Sequence, residues 1–156
     1  MRLNLVSRLV YLNVFCGRKG LVFITLLIER IIFLLSSARI SSKIEIGKNV
    51  RFAYNAMSCL IVKNTVIGDN CLIGARVTTA RKFPFKDVPK IGNNVFVGFN
   101  ASIIGPVTIA NNAVIAPHSL VNTDIGDGEI FAGCPAKRIG HRDDLEYDLM
   151  QNEKYE

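Results

Sequence analysis

The stretch "IGNNVFVGFNASIIGPVTIANNAVIAPHSLVNTDIG", residues 91–126, repeats an aliphatic residue at every sixth position. The repeating residues are all β-branched: Ile91, Val97, Ile103, Ile109, Ile115 and Val121. Four residues after each of them comes a small or branched residue: Val95, Ala101, Val107, Ala113, Ser119 and Ile125. An amphipathic helix has a period of about 3.6 residues and a half-buried strand a period of about 2, so neither accounts for this pattern.

A period of six predicts a triangular coil, in which each unit supplies one short strand and one corner. Three such units complete a turn of about 18 residues, and the aliphatic residues stack inside the prism on those of the next turn. The paired asparagines at 93–94 and 111–112 suit the corners, because Asn tolerates left-handed backbone angles. We therefore expect residues 91–108 and 109–126 to form two complete coils with parallel strands.

The same period continues upstream and has two interruptions. The upstream positions in step are Ile40, Ile46, Phe52, Ile61, Ile67, Ile73 and Thr79. A step of nine residues between Phe52 and Ile61 indicates an insertion near "MSC". "TARKFPFKDVP" carries two prolines and four charges, which predicts a loop leaving the prism at about 79–90. Function is expected on such a loop, because a stiff scaffold holds it.

These patterns predict a mainly β fold: a parallel β-helix over residues 40–136, preceded by a helical segment at 1–39. Residues 137–156 are expected to form a C-terminal cap and tail. Within the first segment, "LVFITLLIERIIFLLSS" has Glu29 and Arg30 at its centre. Two helices at 3–15 and 20–37, packed on the rest of the protein or on each other, are the leading interpretation. A membrane-surface helix and a membrane span remain alternatives, the span disfavoured because each central charge costs about 2.5–3.5 kcal/mol.

Composition limits the classes of protein further. The 156 residues suffice for one domain with a core, and the 49% hydrophobic and 21% charged residues argue against global disorder. The net charge of +6 fits either an anionic partner or a protein that is simply basic. Nucleic acid is disfavoured as a partner, because the basic residues are not interleaved with aromatic ones.

The four cysteines, Cys16, Cys59, Cys71 and Cys134, lack the C-x-x-C spacing of zinc sites and redox pairs. They are predicted to be reduced, small apolar fillers of a cytoplasmic protein. No metal site is predicted.

Three segments, "IGDNCLIG" at 67–74, "IGNNVFVG" at 91–98 and "AGCPAKRI" at 132–139, resemble the hexapeptide-repeat acyltransferases. Apolar N-terminal helices followed by "IGKNVRFAYNAMSCLIV" and then the repeats resemble the serine-acetyltransferase-like branch. The resemblance covers about residues 20–140. It implies a left-handed parallel β-helix, an exception to the usual right-handed crossover. It also implies a homotrimer that holds acetyl-CoA, the acyl-donor substrate, in the groove between neighbouring prisms.

Acyl transfer from a thioester to a hydroxyl needs a base and donors for the oxyanion. The resemblance places the family's catalytic histidine at Tyr54, beside Asn55. A tyrosine with a pKa near 10 is phenolate in only about one molecule per thousand at neutral pH, so it is a poor base. His118, at a predicted corner, is the candidate for a displaced base, the alternative being a solvated corner residue. His141, in the tail, is given no role.

Other positions depart from the family pattern as well. Glycines and histidines of the family are replaced at Ala56, Ser58, Val62, Val88 and the run Thr79-Ala80-Arg81. The histidine of the serine-specific members would stand at Val88, which disfavours serine as the acceptor.

The resemblance places Lys137 and Arg138 beside the nucleotide end of CoA, where two cations could pair with its phosphates. Backbone N–H groups at the Gly98 and Ala116 corners are predicted to hold the pantetheine arm. A basic C-terminal patch is the alternative explanation. A further set of cations, Arg76, Arg81 and Lys82, is either a contact for an anionic acceptor or a solvated surface.

The sequence thus predicts a CoA-dependent O-acetyltransferase acting on a sugar hydroxyl, in surface-polysaccharide biosynthesis. The expected location is cytoplasmic, with contact to the inner face of the membrane through the N-terminal helices. One alternative is a catalytically degenerate trimer that serves as a binding or scaffold protein. Another is a serine acetyltransferase.

Overall fold

The computed structural model describes residues 3–146 and 149–150. The chain begins with two helices, α1 at Leu5–Arg18 and α2 at Val22–Ser36. Short strands follow: β1 Arg39–Ile40, β2 Glu45–Ile46, β3 Arg51–Phe52, β4 Leu60–Ile61, β5 Val66–Ile67, β6 Leu72–Ile73, β7 Thr78–Ala80, β8 Lys90–Ile91, β9 Phe96–Val97, β10 Ser102–Ile104, β11 Thr108–Ile109, β12 Val114–Ile115, β13 Leu120–Val121, β14 Glu129–Gly133 and β15 Ala136–His141.

The strands form three walls of a triangular prism. The first wall is β1-β4-β7-β10-β13, the second is β2-β5-β8-β11, and the third is β3-β6-β9-β12-β14-β15. Successive strands within a wall are parallel, apart from the antiparallel pair β14–β15. Ile91 pairs with Ile109 and Val97 with Ile115, a spacing of one coil. The predicted coil architecture and mainly β fold class are confirmed.

The interior of the prism is aliphatic at the predicted positions. Of the repeating first positions, all are buried except Ile46, which is half-buried and packs against the core. The small or branched positions four residues later are buried from Ile44 to Ile125. Stacking of like side chains on successive coils removes them from water, and this burial is the main stabilising term of the fold.

Both predicted interruptions are present. The residues after Phe52 form a short 3-10 turn at Ala53–Ala56, and residues 81–89 connect β7 to β8 without strand structure. Thr79 pairs with Ile103, so the second interruption adds six residues to the usual coil. The final coil differs from the prediction: Val114 pairs with Ile130, so this coil is two residues shorter than the others.

Helix α1 is joined to the first coil by side-chain hydrogen bonds. Asn4 caps the helix, since its Oδ1 accepts from the Ser7 N–H at 2.9 Å, and its Nδ2 donates to the Phe52 carbonyl. The Tyr11 hydroxyl donates to the Gly47 carbonyl at 2.7 Å and accepts from the Val50 N–H at 2.8 Å. The two helices confirm the predicted packing, with α1 displaced by two to three residues from the predicted 3–15. In the described chain, no helix is both long and apolar enough to cross a bilayer.

The C-terminal part folds differently from the prediction where it is described. Residues 127–140 carry no recognisable hexapeptide pattern, yet β14 extends the third wall and β15 folds back on it as a hairpin. A short 3-10 turn follows at Arg142–Asp144. Of the predicted cap and tail at 137–156, residues 147–148 and 151–156 lie outside the described residues.

Three cysteines match the prediction of buried fillers, and the fourth does not. Cys16, Cys59 and Cys71 are buried and unpaired, whereas Cys134 is exposed in the β14–β15 turn. Burial raises the pKa of both the Cys59 and the Cys71 thiol to about 11. These two thiols therefore stay protonated at neutral pH.

Candidate functional site

The corner where the third wall meets the first, here the third corner, brings together most of the predicted site residues. Each coil has a positive-φ residue just before it enters the first wall at this corner, namely Ser58, Arg76, Asn100 or His118, and Ser37 has the same conformation where α2 ends. Backbone bonds stack the levels, because the Asn100 N–H donates to Ala75 and the His118 N–H donates to Phe99. The column carries a cation, an amide and an imidazole on successive levels, all exposed.

The level nearest α1 has a more strained turn. Tyr54 (φ 48°, ψ 42°), Asn55 (φ 52°, ψ 37°) and Ala56 (φ 58°) are consecutive residues in the left-handed region. Such residues are held at a free-energy cost of about 1–3 kcal/mol each and cluster at functional sites. Ala56 is buried, whereas the Tyr54 side chain is 71% exposed. The turn therefore presents a phenol and an amide to solvent at the position where the resemblance placed the family's base.

A cavity of about 480 Å³ opens beside this turn on the third wall. Its polar lining comes from Asn4, Arg51, Tyr54 and Asn55, and its aromatic lining from Phe96 and Phe99. This combination can hydrogen-bond the hydroxyls of a ligand and stack against its apolar faces.

His118 is held in place by two neighbours from the preceding coil. Its Nδ1 lies 2.8 Å from Asn100 Nδ2, and its ring meets the Phe99 ring edge-on at 5.1 Å between centroids. The tautomer follows from the amide orientation. If the Asn100 oxygen faces the ring, Nδ1 carries the proton and Nε2 is the basic nitrogen; with the NH₂ group facing it, the assignment is reversed. Asn100 thus has the position of a residue that orients a base.

Sequence reasoning missed Asn100 as a partner of His118. The signal was the coil length, since the two residues are 18 apart and so lie on adjacent levels of one corner. Phe99, which contacts His118, also lines the cavity, so the imidazole stands next to one end of it. Tyr54 and His118 are separated by three strand spacings, roughly 14 Å. One chain therefore places His118 against Phe99, which lines the cavity, but does not bring it into the lining or to Tyr54.

The two positions predicted to hold a pantetheine arm are already bonded within the coil. The Gly98 N–H donates to the Ile115 carbonyl at 2.8 Å, and the Ala116 N–H donates to the Phe131 carbonyl at 2.9 Å. A Cβ on Gly98 would lie only 2.5 Å from the backbone nitrogen of Pro117. The glycine is therefore required by the close approach of the next coil, and neither N–H is open to a ligand.

Lys137 and Arg138 lie at the C-terminal end of the same corner. Turn residue Gly133 donates its N–H to Ser119 Oγ at 3.3 Å, which places the hairpin on the level next to His118. Arg138 Nε forms an ion pair with Glu129 Oε1 at 3.0 Å, whereas Lys137 is exposed. Of the two predicted phosphate contacts, Arg138 is thus already ion-paired, whereas the described residues show no ion pair for Lys137.

The remaining predicted positions separate in space. Arg81 and Lys82 lie in the exposed loop, and Lys82 packs near Gly105 at the corner between the first and second walls. Arg76 belongs to the third corner instead, so the three cations do not form one cluster. Val88 is buried at 8% exposure, although it is not part of the hydrophobic core cluster.

A larger cavity, about 790 Å³, lies at the corner between the second and third walls, here the second corner. Asparagines Asn70, Asn94 and Asn112 line it together with Arg142 and His141. None of the predicted catalytic or cofactor-binding residues lines this cavity. Within residues 3–146 and 149–150, no cluster of three or more His, Cys, Asp or Glu side chains could hold a metal ion.

Two family models match the coil. "Bacterial transferase hexapeptide (six repeats)" matches residues 89–123, and "hexapeptide repeat of succinyl-transferase" matches residues 64–79. Both segments fall inside the prism.

Curated proteins similar to the chain include a bifunctional protein and an acetyltransferase. It is 34% identical over 97 residues to the bifunctional protein GlmU of Gloeothece citriformis, covering 61% of the chain and 22% of that protein. It is 28% identical over 119 residues to the serine acetyltransferase of Helicobacter pylori, covering 75% of the chain and 69% of the relative.

The crystal structure of Neisseria gonorrhoeae serine acetyltransferase superimposes with a TM-score of 0.80 at 24% identity. The superposition covers 88% of the chain and 54% of that structure, so the chain spans about half the length of this relative. The shared fold is the left-handed β-helix of hexapeptide repeats preceded by helices.

Proposed function

We propose that the chain, a left-handed β-helix protein with hexapeptide repeats like those of transferases, transfers an acetyl group from acetyl-CoA to a sugar hydroxyl. The observation that carries the proposal is the His118 imidazole on the third corner, held by Asn100 and by Phe99, and Phe99 also lines the cavity. In this proposal His118 is the proton acceptor, and the cavity holds the sugar.

The reaction balances with one base. The sugar oxygen attacks the thioester carbonyl carbon as Nε2 of His118 takes the hydroxyl proton, and the C–S bond breaks as the tetrahedral intermediate collapses. The proton then passes from the imidazolium to the departing sulfur, which leaves as the free thiol of CoA. This role requires the Asn100 oxygen to face Nδ1, so that Nε2 is unprotonated. A well-placed base contributes about 10²–10⁴-fold in rate.

The donor is proposed to enter from the C-terminal end of the third corner. Lys137, exposed on the hairpin beside the His118 level, would pair with a CoA phosphate, and Arg138 would do so only by exchanging its partner Glu129. Since the Gly98 and Ala116 N–H groups are used within the coil, the pantetheine arm must find its donors elsewhere. A homotrimer, with this corner against a neighbouring prism, would provide them.

A sugar suits the acceptor side better than a small amino acid. Arg51, Tyr54 and Asn55 offer hydrogen bonds to several hydroxyls, and the rings of Phe96 and Phe99 offer faces for a pyranose to stack on. Val88, where the resemblance expects a serine-specific histidine, is buried. A role in surface-polysaccharide biosynthesis at the cytoplasmic face of the membrane follows from this acceptor class. The likeness to the H. pylori serine acetyltransferase favours serine as the competing acceptor.

Release of free thiol from acetyl-CoA tests the proposal. Purified protein is supplied with hexoses, N-acetylhexosamines, short oligosaccharides or serine, and thiol is followed colorimetrically. The proposal expects release above the buffer rate with a saccharide and not with serine. If thiol were released with serine alone, the acceptor would be serine and not a sugar. If no acceptor gave release, the proposal that the protein catalyses acetyl transfer would be wrong.

The second candidate is a trimer that binds CoA or a saccharide without turnover. Two observations favour it: a tyrosine stands at the family's histidine position, and the N–H groups of Gly98 and Ala116 are not open. Calorimetry with CoA distinguishes it, because tight binding without thiol release supports a binding protein. A gain of turnover in Tyr54→His would indicate a working site that lost its base.

A further inference from the structure

Helix α2 buries a narrow stripe of its surface and exposes most of its apolar side chains. The buried residues, Thr25, Ile28, Ile32 and Ser36, face α1 and the first wall, and two of the four are polar. The mean hydropathy of the helix is nevertheless high, since the rest of its surface is almost entirely aliphatic or aromatic. Packing within the chain therefore leaves the more apolar part of α2 without a partner.

The exposed part is large for a single helix. Phe23 is 90% exposed, Leu34 82% and Leu27 62%, at positions that share one helical face. Others beside them are at least one-third exposed: Val22, Ile24, Leu26, Ile31, Phe33 and Leu35. A contiguous apolar surface on this scale marks an interaction site and is not the scattered exposure found on most proteins.

The charges around this surface are mostly positive. Residues 3–43 contain six cationic side chains and one acidic side chain: Arg8, Arg18, Lys19, Arg30, Arg39 and Lys43 against Glu29. Glu29 is engaged within the protein, since its Oε1 accepts from the Ser42 N–H at 2.9 Å. Arg39 lies over the Phe33 ring at 5.1 Å, and Lys43 and Lys63 border the N-terminal half of the helix. The apolar face is therefore bordered by an excess of positive charge.

This charge decides between the two occupants that could cover the face. A second copy would bring the same cations against each other, and like charges opposed across an interface disfavour association. An anionic bilayer attracts the cations and takes up the apolar side chains. The helix has 15 residues, about 22 Å, against a hydrocarbon core of about 30 Å, so it can lie along the membrane surface but is too short to span it.

We propose that α2 docks the protein on anionic lipid, with Phe23, Leu27 and Leu34 below the headgroups and the surrounding Arg and Lys side chains at headgroup level. Arg30 stands within this face, where its long side chain can reach the headgroups while its methylenes stay in the apolar layer. The proposal does not depend on acyl transfer, since docking requires only α2 and its neighbours.

Flotation with lipid vesicles tests it directly. The full chain is mixed with vesicles of phosphatidylcholine alone or of phosphatidylcholine with phosphatidylglycerol. We expect flotation with the anionic vesicles, weakened by added salt. The triple variant Phe23→Ser, Leu27→Ser, Leu34→Ser should reduce the bound fraction by about tenfold or more. The matched control is Ile139→Ser, an exposed apolar residue on β15 at the opposite end of the prism, which should float like the wild type.

A double variant keeps the proposal testable if the triple variant does not fold. Arg30→Gln combined with Lys43→Gln keeps the apolar face, so it should bind anionic vesicles less strongly than the wild type and with a weaker dependence on salt. Absence of wild-type flotation, or equal flotation of the triple variant, would overturn the proposal. It would also be overturned if the wild type formed a larger assembly that never floats and light scattering showed the triple variant to be smaller. The apolar face would then join copies of the chain.

Discussion

The second and third corners have the same backbone conformation and different side chains. At the second corner the positive-φ residues are Asn49, Asn70, Asn94 and Asn112, with φ of 55–59°. Their amides bond along the column, from Asn49 to Asn70 at 3.1 Å and from Asn94 to Asn112 at 3.3 Å. At the third corner the corresponding residues are Ser58, Arg76, Asn100 and His118, with φ of 53–62°.

This difference separates what the backbone requires from what it does not. Asparagine is among the residues that best tolerate the left-handed region, so the second corner is filled for stability. Histidine shares part of this tolerance, whereas arginine does not, and both are exposed at the third corner. Backbone geometry therefore does not account for Arg76. At His118 it permits the residue, and the proposed reaction gives the imidazole a use that an asparagine amide could not supply.

The largest expected effect comes from making the third corner resemble the second. His118→Asn keeps a residue suited to positive φ and removes the imidazole. We expect the rate of thiol release to fall by about 10²–10⁴-fold, because the proposed base is lost, with the melting temperature unchanged or raised. Steady-state kinetics and thermal melts measure the two effects, and unchanged turnover would remove His118 from the mechanism.

The converse change weakens the second corner. Asn94→Ala keeps a β-carbon at φ 56° but loses the polar side chain that lets asparagine tolerate this conformation, and it removes the bond to Asn112, so the free energy of unfolding should fall by about 1–3 kcal/mol. Turnover should be unaffected. Asn94→Gly is the control, since it loses the same bond without backbone strain and should be less destabilised in urea titrations. Loss of turnover in a folded Asn94→Ala protein would break the contrast between the corners.

Lys137→Gln tests whether the third corner continues to the donor's phosphates. Removing one charge-assisted contact should raise the KM for acetyl-CoA by about tenfold and leave kcat nearly unchanged. Lys48→Gln, an exposed cation at the second corner, is the matched control and should leave the KM as it is. If both variants raised the KM equally, the cause would be the overall charge of the protein and not a contact at the third corner.

The smallest effect concerns the interior beneath each corner. Cys59 lies under the third corner and Cys71 under the second, and burial raises the pKa of each thiol from 9.0 to about 11. A thiol whose pKa is higher in the folded state stabilises the protein below pH 9.0, and this contribution is lost as the pH rises towards 11. Cys59→Ala and Cys71→Ala should therefore flatten the decline of unfolding free energy over this range, and to a similar extent. A flattening in only one variant would show that the corners differ inside the prism as well.

The sequence predicts the inside of the prism far better than its surface. Ile103 and Ile115 recur at a period that only a three-walled coil explains, and the paired asparagines indicate where the coil turns. The last coil is harder to predict from the sequence. Its spacing of 16 residues from Val114 to Ile130 breaks the six-residue period, so the pattern does not indicate the hairpin. The bond between Asn100 and His118 depends on the coils stacking in three dimensions. The exposure of Phe23 depends on which stripe of an almost uniformly apolar helix packs inward.

The two histidines of the chain permit one decisive measurement, since they lie at different corners. His118 is on the third corner, and His141 is beside the second, with its Nε2 3.2 Å from the Asp127 carbonyl oxygen. Imidazole NMR resonances can be followed while CoA is added to the full chain. The account predicts that the His118 signals shift with saturation while those of His141 stay in place. Saturable shifts at His141 with none at His118 would contradict a donor site on the third corner.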